Sequence, residues 1–451
     1  MLPLLLLAAV MVAHAGHGLD MWSLEDRLWT ALSIWAGVPA LCVILAFAWF
    51  GRSAVAIRRG RIEFLSIASR VLRVLRAILV LSGLVSVLIF DGLSMVRQWL
   101  GDLVLVDELL LLLPVLSGYY LLGVAWYSVD RAVACRHEEE SVATTRWSCA
   151  WNMFVIQVLL LLVPAGLILG SVEFLGTLDE EAIGDEVRQL LVLLVTAAIF
   201  IFAPLIMRAM LSVTPLEAGL LRDRLERICQ RQRVPVRDIL SWDTGAGLVN
   251  AAVVGILGRL RYILLTRSMI RWMPERYVEA VMAHEVGHAR CHHIPWLLAS
   301  IITLVLALEV VWMAIPAIPH VEGLLRLVSL VLILWLVFGW ISRRFEWQAD
   351  ACAVRDLSED RTSDQVITVE ATTAMIGALQ SISALNGDDG RRNDWRHGSI
   401  RLRCHRLADL VGRARDSLPI DRVVGRIKIT TVVVGLVSLL CLAMFVPDIS
   451  T

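Results

Sequence analysis

Lysine is almost missing from this chain of 451 residues: of its 42 basic residues only Lys428 is a lysine, and the rest are arginine. That bias reads as the coding habit of an Arg-rich genome rather than as physical selection. Charge as a whole is scarce, at 19% Asp, Glu, Lys and Arg, and the formal net charge is zero. No basic excess is left to attract a polyanion, so nucleic acid is not expected as a partner. The eight cysteines include no C-x-x-C pair and are scattered through apolar runs and polar loops. A disulfide framework is therefore not expected, and the thiols read as free. No inverted repeat and no pair of Gly/Pro-broken helices is visible, which argues against a transporter.

What the chain has instead is apolar length. It is 58% hydrophobic with a mean hydropathy of +0.71, and about 20 apolar residues suffice to cross a bilayer. Such runs fall at about 28–50, 74–96, 105–127, 150–172, 188–210, 295–316, 324–342 and 429–447. The second is the weakest, because Arg76 and Asp91 intrude. Buried helices of a soluble core do not explain so many long runs. Residues 1–18 form a separate tail: Leu2 to Val12 is too short to span, and Ala13-His14-Ala15 is similar to a signal-peptidase site. No Lys or Arg precedes the apolar stretch, so a cleaved signal and an uncleaved tail both remain open.

Arginine distribution sets the expected orientation. Arg52, Arg58, Arg59, Arg61, Arg70, Arg73 and Arg76 crowd the first loop and place it inside. The loop with Asp91, Asp102, Asp107 and Glu108 falls outside, Arg131, Arg136 and Arg146 lie inside, and acidic Glu173 to Glu186 lies outside. Residues 211–293 are dense in arginine and cytoplasmic, and Arg343-Arg344 bring the chain back in after the short outer turn Ala317 to Gly323. This divides the chain into a five-span membrane part (19–210), a cytoplasmic part (211–293), a transmembrane hairpin (294–342), a second cytoplasmic part (343–427) and a last span (428–451). A bacterial inner membrane suits the pattern. Glu309, in the middle of the sixth run, is either a functional carboxylate or one hydrogen-bonded inside the bundle.

The first cytoplasmic part carries the chemistry. Residues 211–240 read as an amphipathic helix (Leu216, Leu220, Leu221, Leu225, Ile228) closed by Pro235. Asn250 to Gly255 and Arg261 to Thr266 read as a small β-hairpin. Pro274 and Glu275 start a helix through His284-Glu285-Val286-Gly287-His288 that is expected to run on toward the sixth span. Side chains four apart share a helix face, so His284 and His288 can grip one Zn²⁺ while Glu285 acts as general base. Such a pentad arises by chance in roughly one chain of this composition per hundred, so its surroundings must decide. A third ligand is expected from Ser342-Arg-Arg-Phe-Glu346-Trp-Gln-Ala-Asp350: Glu346 returns from the hairpin to the histidines' side, and Asp350, one turn on, can accept the proton of a ligating imidazole. His292 and His293 read as polar surface or headgroup contacts. His14, His17, His137 and His320 show no metal spacing, and Asn386 to Asp394 reads as a flexible connector.

Taken in order, Asn250-Ala-Ala-Val-Val-Gly, Leu264-Leu-Thr, the histidine pentad and Phe345-Glu-Trp-Gln-Ala-Asp350 resemble integral-membrane zinc metallopeptidases of the HtpX-like and CAAX-prenyl-endopeptidase type, over roughly residues 215–410. The resemblance implies a mainly α, polytopic membrane protein of about eight transmembrane helices with a small cytoplasmic zincin-like α+β catalytic domain. It also implies one Zn²⁺ per chain on His284, His288 and Glu346, and hydrolysis of membrane-associated proteins or peptides. His397 and Arg403 are similar to a family segment whose His and Arg face the substrate or the oxyanion. Gly398 stands where the family usually has proline, which puts the local turn in doubt. Asn250 resembles the family's substrate-facing strand edge; a plain turn residue is the alternative. Two rival readings stand beside the protease: a metallopeptidase-type sensor, weakened by the short outer loops, and a transporter or channel built around Glu309.

Overall fold

The computed structural model describes residues 29–61, 63–134, 145–178, 183–244, 248–316, 322–359, 365–387 and 395–445. The N-terminal tail, His137, His320 and all but the start of the 386–394 connector lie outside them. Two compact units divide the chain: Met1–Ser212 with Thr244–Ala246, and Val213–Asp243 with Gly247–Thr451.

The first unit is helical: α1 (Trp29–Arg58), α2 (Glu63–Leu88), α3 (Gly92–Leu100), α4 (Val106–Ala134), α5 (Arg146–Gly176) and α6 (Asp185–Met210). All but α3 are long and apolar enough to cross a membrane. The second run was expected about ten residues too far along. Its buried stripe is Ala68, Leu72, Leu75 and Leu79, at three- and four-residue spacing, so the helix begins within the arginine-rich stretch and turns the arginines to its other faces. Arg76 stays inside α2, stacked 4.8 Å over the Tyr119 ring, whereas Asp91 falls beyond it in a left-handed turn (φ 47°). Arg97 on α3 gathers three carboxylates, reaching Asp102 on the following loop (3.2 Å), Glu108 at the start of α4 (3.0 Å) and Glu173 near the end of α5 (3.3 Å).

The second unit opens with β1 (Val213–Pro215), α7 (Leu220–Arg231) and β2 (Asp238–Trp242). The expected 30-residue helix is thus a 12-residue one flanked by strands. Ile239, Leu240 and Trp242 are buried by sheet pairing, and so short a run has too little period to separate strand from helix. Strands β3 (Ala251–Val254) and β4 (Tyr262–Thr266) form the expected antiparallel pair, within a sheet ordered β1-β2-β4-β3. Strand β2 runs parallel to β4, and β3 is an edge. Then follow α8 (Arg267–Trp272), α9 (Glu275–Arg290), α10 (His293–Met313), α11 (Leu325–Glu359), α12 (Val369–Leu385), α13 (Ile400–Ala408) and α14 (Pro419–Phe445). Of these α10, α11 and α14 are long and apolar enough to span, which makes eight such helices among the described residues.

The helix of the histidine pentad does not continue into α10, as the sequence reading expected. It stops at Arg290, and His292 takes a left-handed conformation (φ 56°) that starts a new direction. Glu309 on α10 pairs with Arg326 on α11 at 2.8 Å, and Arg326 also holds Glu322. The intramembrane carboxylate is therefore neutralised across the helical hairpin.

Candidate metal centre

Helix α9 forms where the sequence asks for it. Pro274 precedes its first turn, Glu275 offers a negative charge to the N-terminal dipole, and Val278, Val281, Met282 and Val286 are buried. Gly287 decides how closely it meets α11. A Cβ at that position would lie 3.0 Å from Cys352 Cβ and 3.3 Å from the Ala349 carbonyl oxygen. Because that space is empty, α9 and α11 approach closely enough for His284 and His288 to meet Glu346.

One atom from each of these three residues lies within 4.8 Å of the other two. His284 Nε2 and His288 Nε2 are 3.2 Å apart, and they stand 3.5 and 3.6 Å from the two oxygens of Glu346. His284 Nδ1 lies 3.0 Å from Asp350 Oδ1. Asp350 in turn accepts two hydrogen bonds from Arg403, at 2.8 and 2.6 Å. Arg403 is buried behind the cluster, with Nη1 3.3 Å from Glu346, rather than lining its open side. His397 is half exposed and places Nδ1 2.9 Å from Glu346 Oε1. Glu285 faces the sheet: its Oε2 accepts the Val253 N–H of edge strand β3 at 3.1 Å. Asn250 precedes that strand with an exposed side chain, and its backbone is pinned by Thr266 on β4.

The electrostatics match this burial. Glu285 is pushed up to about 7, mainly by loss of water and secondarily by the charge of Glu346, against the pull of His284 and the Val253 amide. Burial works against a charged His284, yet Asp350 and Glu346 raise it to about 10. His288 goes the other way, held well below the ordinary histidine value by burial. Arg403, buried beside two carboxylates, is held charged above the ordinary arginine value.

The donor set fits a zinc ion. Two imidazole nitrogens and one carboxylate oxygen leave a fourth position for water, the pattern of hydrolytic zinc sites. Glu346 Oε2 is buried with no hydrogen bond of its own.

One residue near the cluster was misread from sequence. His293, expected at the surface, is completely buried. Its ring stacks on Phe345 (12° interplanar, 4.5 Å between centroids), and its Nδ1 lies 2.9 Å from His288 Nδ1. The left-handed turn at His292 folds it back onto the site, and neither i+4 spacing nor hydrophobic period signals such a turn. Gln348, 2.9 Å beyond His293, carried no sequence signal.

Comparison with known proteins fits the geometry. Residues 215–386 match Peptidase family M48. The plastoglobule-localized metallopeptidase 48 of Arabidopsis thaliana chloroplasts is 39% identical over 56 residues, 12% of this chain. The chain spans 16% of the length of that relative. Among solved structures, Ste24p of S. mikatae superposes with a TM-score of 0.52 at 15% identity, covering 83% of this chain and 98% of that one, which is a likeness of fold. The resemblance read from the sequence is thereby borne out: residues 215–386 match peptidase family M48, and the chain has a fold like that of Ste24p.

Proposed function

We propose that the protein is a membrane-embedded zinc endopeptidase that cleaves membrane-associated proteins or peptides at the cytoplasmic face. The observation that carries this reading is the convergence of His284, His288 and Glu346 from two helices on one point, with Glu285 beside it on the histidines' own helix and bonded to edge strand β3. His284 Nε2, His288 Nε2 and Glu346 would hold one Zn²⁺, and Asp350 would keep the His284 proton on Nδ1. The bound metal would supply Lewis-acid chemistry, making water a better nucleophile and polarising the peptide carbonyl. Glu285 takes a proton from the attacking water and returns it to the leaving nitrogen as the C–N bond breaks. With its value near 7, it can serve in both directions.

His397, half exposed against Glu346, would donate to the oxygen of the carbonyl under attack. The outer edge of β3, entered at Asn250 and touched by Glu285 at Val253, would hold an extended substrate by added-strand pairing. Arg403 supports this site through Asp350, so its effect on substrate is indirect. The arginine-rich loops on the side of residues 211–293 orient the site to the cytoplasm.

The test is metal content and cleavage measured together on the full chain in detergent or lipid. Wild type should carry about one zinc and cut an unstructured peptide fused to a membrane anchor. Glu285→Ala should keep the zinc and lose the cutting. A wild-type protein without zinc, or cleavage that survives the substitution, overturns the reading.

A further inference from the structure

His293 is the first link of a hydrogen-bond chain that leads away from the metal centre. His293 Nδ1 lies 2.9 Å from His288 Nδ1, and His293 Nε2 lies 2.9 Å from Gln348 Oε1. Gln348 Nε2 donates to Asp421 Oδ1 at 2.7 Å, and Arg355 Nη2 donates to the other oxygen, Asp421 Oδ2, at 2.7 Å. His293 and Gln348 are both buried. The chain links α9, α10, α11 and the first turn of α14.

Its direction follows from the far end. A carboxylate only accepts, so Gln348 must turn its NH₂ to Asp421 and its carbonyl oxygen to His293. That oxygen needs a donor, which places the His293 proton on Nε2. A neutral His293 then has a bare Nδ1, and that nitrogen accepts the Nδ1–H of His288. The lone pair of His288 is left on Nε2, the atom that faces His284 and Glu346. The stack on Phe345 fixes the plane of the His293 ring, so the directions cannot relax by rotation.

We propose that His293, Gln348 and Asp421 are positioning residues that impose the metal-binding tautomer on His288, as Asp350 does for His284. The proposal rests on the zinc reading above. It gives each imidazole ligand a partner of its own: a carboxylate for His284, and for His288 two neutral side chains, His293 and Gln348, ending in the carboxylate of Asp421. With both Nδ1 protons committed, two Nε2 lone pairs and a carboxylate face one another within 3.6 Å, the donor set that a zinc ion takes up.

The experiment is zinc affinity by chelator competition on the full-length protein, with the d–d spectrum of the cobalt-substituted form. Gln348→Leu and Asp421→Asn should each weaken zinc by about 10- to 100-fold, the usual effect of losing a ligand's outer partner, and change the cobalt spectrum. The double variant Gln348→Glu with Asp421→Asn reverses the polarity of the last link but keeps an acceptor facing His293, so it should recover most of the affinity. Zinc affinity in Gln348→Leu within a factor of three of wild type overturns the relay, and so does a double variant no better than the singles. Failure of the parent reading looks different: wild type itself would hold no zinc, or His288→Ala would hold it as tightly as wild type.

Discussion

Glu285 lies beside the His284, His288 and Glu346 cluster and accepts the backbone N–H of Val253. Its raised value sets the expected pH profile. A general base must be ionised in the free enzyme, so kcat/KM should fall as pH drops below about 7, and the proton bound in that range is the one Glu285 retains. Replacement by Gln should cost about 10²- to 10⁴-fold in kcat with zinc content unchanged, read by steady-state kinetics beside metal analysis. The residues of this site were unequally legible. His284, Glu285, His288, Glu346 and Asp350 have fixed spacings on two helices, and i+4 geometry projects directly into space. His293 depends on one left-handed residue, and Arg403 on which side of α13 meets α11. Both are tertiary facts that local spacing does not encode.

At the scale of elements, the distance between α9 and α11 rests on Gly287. Adding a methyl there brings up to about 1 kcal/mol of helix propensity, but overpacking a fixed contact costs about 1–3 kcal/mol. The neighbours are a Cβ and a backbone carbonyl, neither of which can rotate away, so the cost should win. Gly287→Ala is expected to lower both the unfolding temperature and the affinity for zinc, and calorimetry with chelator titration would show it; an unchanged pair would mean that the helices have slack. The elements themselves were read best where they are long. The eight spans stood out by composition alone, although α2 slid along its own arginines because polarity was weighed by residue and not by face. Strands β1 and β2, of three and five residues, were hidden inside what looked like a helix.

At the scale of the whole molecule, the arginine pattern predicts which loops face the cytoplasm. Reporter fusions or inserted tags at residues 140 and 390 should both be accessible from the cytoplasm, and tags at 181 and 319 only from the other side. Tags at 181 and 390 on the same side would contradict the arginine pattern. The Glu309–Arg326 pair belongs to this scale as well. Arg326→Leu leaves the Glu309 carboxylate without its ion-pair partner, which is expected to appear as reduced folded yield, while Arg326→Leu with Glu309→Leu should recover most of it.

The family match ends at residue 386, well short of the residues that complete the metal centre. Asp421 stands on the last membrane helix, and His397 and Arg403 also come after the matched stretch. A fragment trimmed to 215–386 would keep every donor atom for zinc, yet leave Asp350 without its arginine and Gln348 without its carboxylate. On the proposed reading, the piece that would hold the metal with all its partners is set by hydrogen bonding, and it includes the membrane-length helix that carries Asp421.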